Sequence, residues 1–242
     1  MVKNRFTAPT FPDGIGKDNK NELSIIILAA QAPYKMKQYG PQPLLRDKYN
    51  RSILENQVEI FKLHYPYSEI ILVAGYEVDK IVKNKPKCVR VVENQLYEST
   101  NEVEEARLGL NNSTSDNVLL VFGDIYFSEN LIRDLPTKES TIIVDKNEAM
   151  LADDVGVTIV DNYATILSYA IPTPKWTKIA LIRDKELKLL KQFVNDRNNN
   201  KMYLFEGLNY VLNKNGKIKS FKTNYSHEVI HIQNTKELEK IQ

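Results

Sequence analysis

Residues 23–45 read LSIIILAAQAPYKMKQYGPQPLL. The first eight, 23–30, are an unbroken apolar run of strand length, as expected of a strand buried on both faces of a parallel sheet. The run ends at Gln31, and 31–43 carries three prolines and one glycine, which makes it a loop. The segment SILENQVEIFKLHY then places Ile53, Leu54, Gln57, Val58, Phe61 and Leu63 at helical spacing, with Ser52 positioned as an N-cap. A buried strand, a long loop and an amphipathic helix form the opening of an α/β unit.

The pattern repeats outward from that unit. EIILVA (69–74), CVRVV (88–92) and NVLLVF (117–122) read as strands, and 78–83, 102–110 and 128–135 as helices. Strands alternating with helices over the first 135 residues predict a mainly parallel sheet covered by helices on both faces. The second half is less regular. Strands are expected at 141–144, 155–160, 166–169, 178–182, 217–223 and 229–232. Helices are expected at 184–196, capped by Asp184, at 203–212 and at 236–241. The linkers are short, so 23–242 reads as one domain. Residues 1–22, polar and punctuated by Pro9, Pro12, Gly14 and Gly16, read as a flexible arm.

Composition narrows the function classes. With 42% hydrophobic and 26% charged residues, the 242-residue chain can bury a sizeable core. No stretch approaches the roughly 20 apolar residues of a membrane helix, and the polar start lacks the apolar centre of a secretory leader. A single cysteine, Cys88, excludes an internal disulfide and a cysteine-based zinc site and fits a reducing cytosol. Cys88 itself reads as a small buried apolar residue. A net charge of +2 is too balanced for general nucleic-acid binding. Nine glycines are about half the ordinary ~7%, which is unusual in a chain with loops of this kind.

In parallel α/β folds ligands sit beyond the carboxyl ends of the strands. The loops that matter are therefore 31–43 and 123–127, the latter within LLVFGDIYFSENLIRDL. Between them lies VVENQLYESTNEVEEARLGL, and the chain closes on HIQNTKELEKI. In this order and spacing the four segments resemble the nucleotidyltransferases of the GT-A-like fold, nearest to the phosphocholine and sugar-phosphate cytidylyltransferases. That family opens with L-A-A-G-x-G-x-R-M and P-K-x-L-L, followed by S-I-L-E. It continues with N-x-x-Y-x-x-T-N-N and G-D, and ends on E-I-D-T-P-E-D-L-E-K. Asn94, Tyr97, Thr100, Asn101, Gly123 and Asp124 stand where the pattern has them.

The resemblance implies a three-layer, Rossmann-like fold with a mainly parallel, mixed central sheet. It also implies a reaction in which a phosphorylated small acceptor attacks the α-phosphorus of a nucleoside triphosphate and pyrophosphate leaves. Its partners would be the triphosphate and the acceptor (a sugar phosphate or a phosphocholine-like molecule), with neither nucleic acid nor membrane, in the cytoplasm. The implied site has Lys35 and Asp124 as catalytic residues, with Asp124 also binding Mg²⁺. Ala29, Ala30, Gln31, Gln42, Asn94, Thr100, Asn101 and Gly123 would face the nucleotide, and Tyr97 and Glu206 the acceptor.

The departures from the pattern concern charge and glycine. Gln31 and Pro33 replace the loop glycines, and Lys35 replaces the arginine without its bidentate fork. Gln42 replaces the lysine, and Glu102 the second asparagine. His231 and Gln233 stand in place of the two C-terminal acids, so the second metal carboxylate is gone. A catalytically impaired homologue that binds nucleotide or a partner is the alternative reading. A glycosyltransferase ranks lower, because Asp124 is followed by Ile125 and Tyr126 rather than completing an Asp-x-Asp pair.

Simpler roles stand beside these. Asp124 could cap the following helix, Lys35 could be a solvated loop lysine, and Asn101 is a helix cap in any case. Asn94, Tyr97 and Thr100 could be loop punctuation. Glu206 reads as a helix-surface acid, and Glu104 and Glu105 as a solvated helix face. Strand alternation puts His227 and His231 on one face with no third ligand nearby, which makes them surface or pocket-lining histidines. Trp176 and Tyr169 read as packing aromatics or a lid.

Overall fold

The computed structural model describes residues 23–33, 35–146, 150–151 and 153–242; the arm expected at 1–22 lies outside them. Strands and helices follow in chain order. They are β1 (Ser24–Ala29), α1 (Ile53–His64), β2 (Glu69–Ala74), α2 (Val78–Asn84), β3 (Val89–Glu93), α3 (Glu102–Asn112), β4 (Asn117–Phe122), β5 (Ile125–Phe127) and α4 (Glu129–Arg133). The second half has β6 (Thr141–Asp145), β7 (Gly156–Val160), β8 (Tyr163–Ser168), β9 (Lys175–Arg183), α5 (Asp184–Asn195), α6 (Leu204–Asn213), β10 (Lys219–Lys222), β11 (Val229–His231) and α7 (Thr235–Glu239).

The main sheet runs β3-β2-β1-β4-β9-β6-β10-β8-β7. β1 pairs in parallel with both β2 and β4, and β2 with β3. From β9 onward the sheet is mixed, since β9 is antiparallel to β4 and β6 while β10 is parallel to β6. Ile25, Ile26 and Ile27 are fully buried, each worth roughly 1.5–3 kcal/mol over exposure. The helices form two sets: α3, α5 and α6 pack on one another, and α1 packs with α4 and β5. The chain runs outward from β1 to β3 and returns to β4 on the other side of β1. The carboxyl ends of β1 and β4 therefore flank a topological switch point, where an open α/β sheet has its crevice.

Local chemistry explains several boundaries. Ser52 Oγ accepts from Glu55 N–H at 3.1 Å and Glu55 returns a 2.7 Å bond from Ser52 N–H, a complete capping box. Gly109 on α3 lets the helix lie against β1, because a Cβ there would stand 2.4 Å from Ile26 Cγ2.

The structure corrects some expectations. Residues 125–127 form β5, which pairs antiparallel with β11 through Ile125↔His231; three residues are too few to show a period. The loop 31–43 carries two short 3₁₀ turns, at Lys37–Tyr39 and Gln42–Leu44. Asp184 is the first residue of α5 and the cap position is Arg183, which makes no capping bond. The strand expected at 178–182 begins three residues earlier and is interrupted by an irregularity at its start. Cys88 is exposed, just outside β3 at the sheet edge.

A second, smaller core joins Met36, Leu45, Ile53, Ile230, Ile232, Leu238 and Ile241. It clamps the C-terminal segment onto the loop after β1, helped by Lys48 N–H donating to Ile241 O at 2.8 Å. Among the described residues, no helix is long and apolar enough to cross a membrane.

Candidate active site

β1 and β4 end side by side, and a glycine lets the next residues converge. A Cβ at Gly123 would meet Ala29 Cβ at 2.7 Å and Pro43 Cγ at 2.9 Å. Gly123 N–H donates to Leu28 O at 2.8 Å, which presents Asp124 to the crevice. There a cavity of about 120 Å³ is lined by Leu28, Ala29, Gln31, Gln42, Pro43, Glu102, Glu105, Phe122, Asp124 and Lys178. That is about four times the ~30 Å³ share of one water, enough for a phosphate group but not for a whole nucleotide.

Asp124 is held by one oxygen. Its Oδ2 lies 2.9 Å from His231 Nε2 on β11, while Oδ1 is buried with no protein partner. Burial pushes this carboxyl up, but His231 and the nearby Lys178 charge outweigh it and hold the group below its ordinary value. Behind His231 lies Asp154, with Oδ1 3.9 Å from His231 Nδ1 and Oδ2 3.1 Å from Lys175 Nζ. Gln233 directs its amide N–H toward His231 Nδ1 and, at 3.3 Å, toward Asp154 Oδ1. With Nδ1 accepting, Nε2 carries the ring proton and donates to Asp124. Asp154 sits at about 2: burial alone would raise it, but the nearby His231 ring, the bond from Leu151 N–H and the Lys175 charge reverse the sign.

Under the loop after β1 lies Glu105. Its Oε2 accepts from Ala30 N–H at 2.9 Å and its Oε1 from Gln31 Nε2 at 3.0 Å. Burial pushes its pKa to about 7, against those two donors and with help from the negative charges of Glu102 and Asp124. Glu104 is buried too, bonded to Arg107 at 2.6 and 2.7 Å and to Arg197 at 3.3 Å. Both residues correct the expectation of a solvated helix face: the loop covers one and two arginines cover the other.

Lys178 enters the cavity from β9. It adopts φ +61°, a left-handed conformation that costs a non-glycine residue of order 1–3 kcal/mol. Its Nζ lies 4.6 Å above the Phe122 ring and 3.6 Å from Glu102 Oε1. Glu102 Oε2 is engaged by Leu204 N–H at 2.9 Å.

Of the residues singled out from sequence, Ala29, Gln31, Gln42 and Asp124 line this one cavity, with Ala30 and Gly123 beside it. Gln42 Nε2 donates to Ile232 O at 2.6 Å. Lys35 is exposed on the turn and does not line the cavity. Asn94 and Thr100 are buried and bond each other at 3.2 Å, and both also bond Leu96. Asn101 caps α3 through Glu102 N–H at 2.9 Å. Tyr97 packs edge-on against Tyr76 at 6.5 Å. Glu206 closes the first turn of α6, accepting from Tyr203 N–H at 2.8 Å. Trp176 is a core residue packed edge-on against Phe122 at 6.0 Å.

His231, Asp154, Lys175, Glu105 and Lys178 join the site without having been singled out as its residues. The signal for His231 was its place at the first acid of the C-terminal motif. Nothing local marks Lys178 or Asp154.

The donor set fits a divalent cation in one respect. Asp124, which lines the phosphate-sized cavity, keeps its buried Oδ1, a hard oxygen, without a protein partner, and Mg²⁺ commonly takes one or two carboxylates plus substrate phosphates. The Gln233 amide N–H is committed to His231 and Asp154. Among the described residues no cluster of three or more His, Cys, Asp or Glu is arranged to hold a metal by itself.

No family model matches this chain, and neither does any curated protein. Solved structures do. A CTP:phosphocholine cytidylyltransferase from Streptococcus pneumoniae superposes with a TM-score of 0.74 at 16% identity, covering 90% of this chain and 97% of that one. An inositol-1-phosphate CTP transferase from T. maritima gives 0.71 at 16% identity, over 91% and 94%. A glucose-1-phosphate thymidylyltransferase from Bacillus anthracis, described as putative, gives 0.70 at 13% identity, over 90% and 93%. The chain has the fold of these nucleotidyltransferases.

Proposed function

We propose that this chain transfers a nucleotidyl group, cytidylyl in the first instance, from a nucleoside triphosphate to a small phosphorylated acceptor. The observation that carries the reading is Asp124 Oδ1, buried and without a protein partner, at the mouth of β4 beside the end of β1. An acceptor phosphate oxygen attacks the α-phosphorus, the bond from that phosphorus to the bridging oxygen breaks, and pyrophosphate leaves with the electron pair. Such chemistry depends on alignment and charge neutralisation more than on covalent help. A Mg²⁺ ion bound through Asp124 would supply the neutralising charge. Asp124 aims its oxygen, and His231, backed by Asp154 and Gln233, fixes that aim. Gln31 and Gln42 border the phosphates. The acceptor's remainder would reach past Glu102 toward Tyr169, Tyr203 and Phe205, whose ring centroids lie 5.1–6.0 Å apart. The exposed, unpaired Cys88 suits a reducing cytosol, and the reading treats 23–242 as one catalytic domain.

The test is a thermal-midpoint panel of CTP, UTP, ATP and GTP with and without Mg²⁺. At a hundredfold excess over Kd the midpoint should rise by roughly 5–10 °C for a chain of this size. The rise should need Mg²⁺ and disappear in Asp124→Asn. A chain that no triphosphate shifts refutes the reading.

One observation favours the second reading, a binding homologue without turnover. Ala30 N–H and the Gln31 amide, at the place where a glycine loop would approach phosphates, are already bonded to Glu105. Tight triphosphate binding with no pyrophosphate release in the presence of any acceptor would select it.

A further inference from the structure

The irregularity in β9 stands at the cavity. Along β4 the β9 ladder is regular, from Asn117↔Arg183 to Val121↔Ile179. Along β6 it slips: Ile142 faces Ala180, yet Val144, two residues on, faces Trp176, four residues back. β9 therefore carries two extra residues in the stretch containing Thr177, Lys178 and Ile179, and Lys178 takes the left-handed conformation within it. The bulge is tied down on both sides. Thr177 Oγ1 donates to Ile143 O at 3.1 Å, and Trp176 Nε1 donates to Ile179 O at 3.1 Å. Bulges re-aim side chains and concentrate beside active sites, and a strained backbone persists only where its surroundings impose it.

The bulge aims an ammonium group. Among the described residues that line the cavity, Lys178 is the only cation, and Asp124, Glu102 and Glu105 line it with Lys178. Its contact with Glu102 at 3.6 Å is longer than a good hydrogen bond, and an ammonium has three donors. A simple ion pair tying β9 to α3 does not require a left-handed backbone or two inserted residues. Gln42, where the resemblance places a phosphate-binding lysine, has no charge, and its amide is bonded to Ile232 O. Lys178 and Gln42 line the same cavity from opposite elements, β9 and the turn after β1.

We propose that Lys178 is the phosphate-binding cation of this site, supplying from the β9 bulge the charge missing at position 42. With substrate bound, its ammonium stays protonated and exchanges the loose Glu102 contact for a phosphate oxygen. The inference rests on the nucleotidyl-transfer reading.

The experiment measures binding of CTP and of inorganic pyrophosphate, each with Mg²⁺, by calorimetry on the full chain. Lys178→Gln should weaken both at least tenfold, and Lys178→Arg should retain most of the affinity. Adding Gln42→Lys to Lys178→Gln should restore part of the loss, which a purely structural lysine would not allow. Lys178→Gly, which suits the left-handed backbone, should lose affinity while its thermal midpoint holds or rises. If the wild type binds both ligands and Lys178→Gln binds them equally well, Lys178 has no such role and the wider reading stands. If the wild type binds neither ligand, both fall.

Discussion

Replacing Glu105 by glutamine should remove a specific pH dependence from the stability of the fold. The carboxyl ordinarily titrates near 4.5 and stands at about 7 when buried beneath the loop after β1. Between those values the folded chain holds a proton that the unfolded chain has released. Stability on this group's account is therefore full below pH 4.5, falls as pH rises, and levels off above 7. About 2.5 pH units at ~1.4 kcal/mol each give about 3 kcal/mol lost between pH 4 and pH 8. In Glu105→Gln the introduced amide oxygen can still accept from Ala30 N–H, and its NH₂ can donate to a flipped Gln31 carboxamide, so the loop keeps its anchor. Urea unfolding of both proteins from pH 5 to pH 8 isolates the effect, because Asp134 and Asp154, both at about 2, titrate below that window. The difference in unfolding free energy should change by about 2–3 kcal/mol across the range, in favour of the variant at the alkaline end. Parallel curves would show that Glu105 is solvated or charged throughout, and the reasoning about the loop would fail.

Gly123→Ala should destabilise the chain by about 1–3 kcal/mol, because the new Cβ meets Ala29 Cβ at 2.7 Å and Pro43 Cγ at 2.9 Å; chemical denaturation measures it, and an unchanged midpoint would contradict the close approach of β1 and β4. Ser52→Ala removes one half of the α1 capping box and should lower the unfolding free energy by about 1 kcal/mol, with triphosphate binding unchanged.

The fold was legible where burial is simple. Ile25, Ile26 and Ile27 and their partners in β2 and β4 are apolar without interruption because both faces of the sheet are covered, and Ser52 with Glu55 is a local signal needing no tertiary knowledge. β5 was not legible, since its three residues are held by β11 about a hundred positions away. Asp124 was legible because a short polar turn follows a buried strand. Glu105 was misread because helical periodicity identifies a charged face without showing that a loop returns to cover it. Lys178 lies in an apolar strand whose bulge arises from unequal pairing with β4 and β6, a property of three strands together. His231 was read as lining a pocket at most, and its bond to Asp124 depends on the β5–β11 pairing.

Pyrophosphate release tests the central claim most directly. The purified chain is given CTP, Mg²⁺ and a panel of phosphorylated acceptors that includes sugar phosphates and phosphocholine. The account predicts release that depends on one of these acceptors and falls at least about a hundredfold in Asp124→Ala, the scale expected when a group that stabilises transition-state charge is removed. Absence of release with every acceptor and every nucleoside triphosphate, or release that survives Asp124→Ala undiminished, would contradict it.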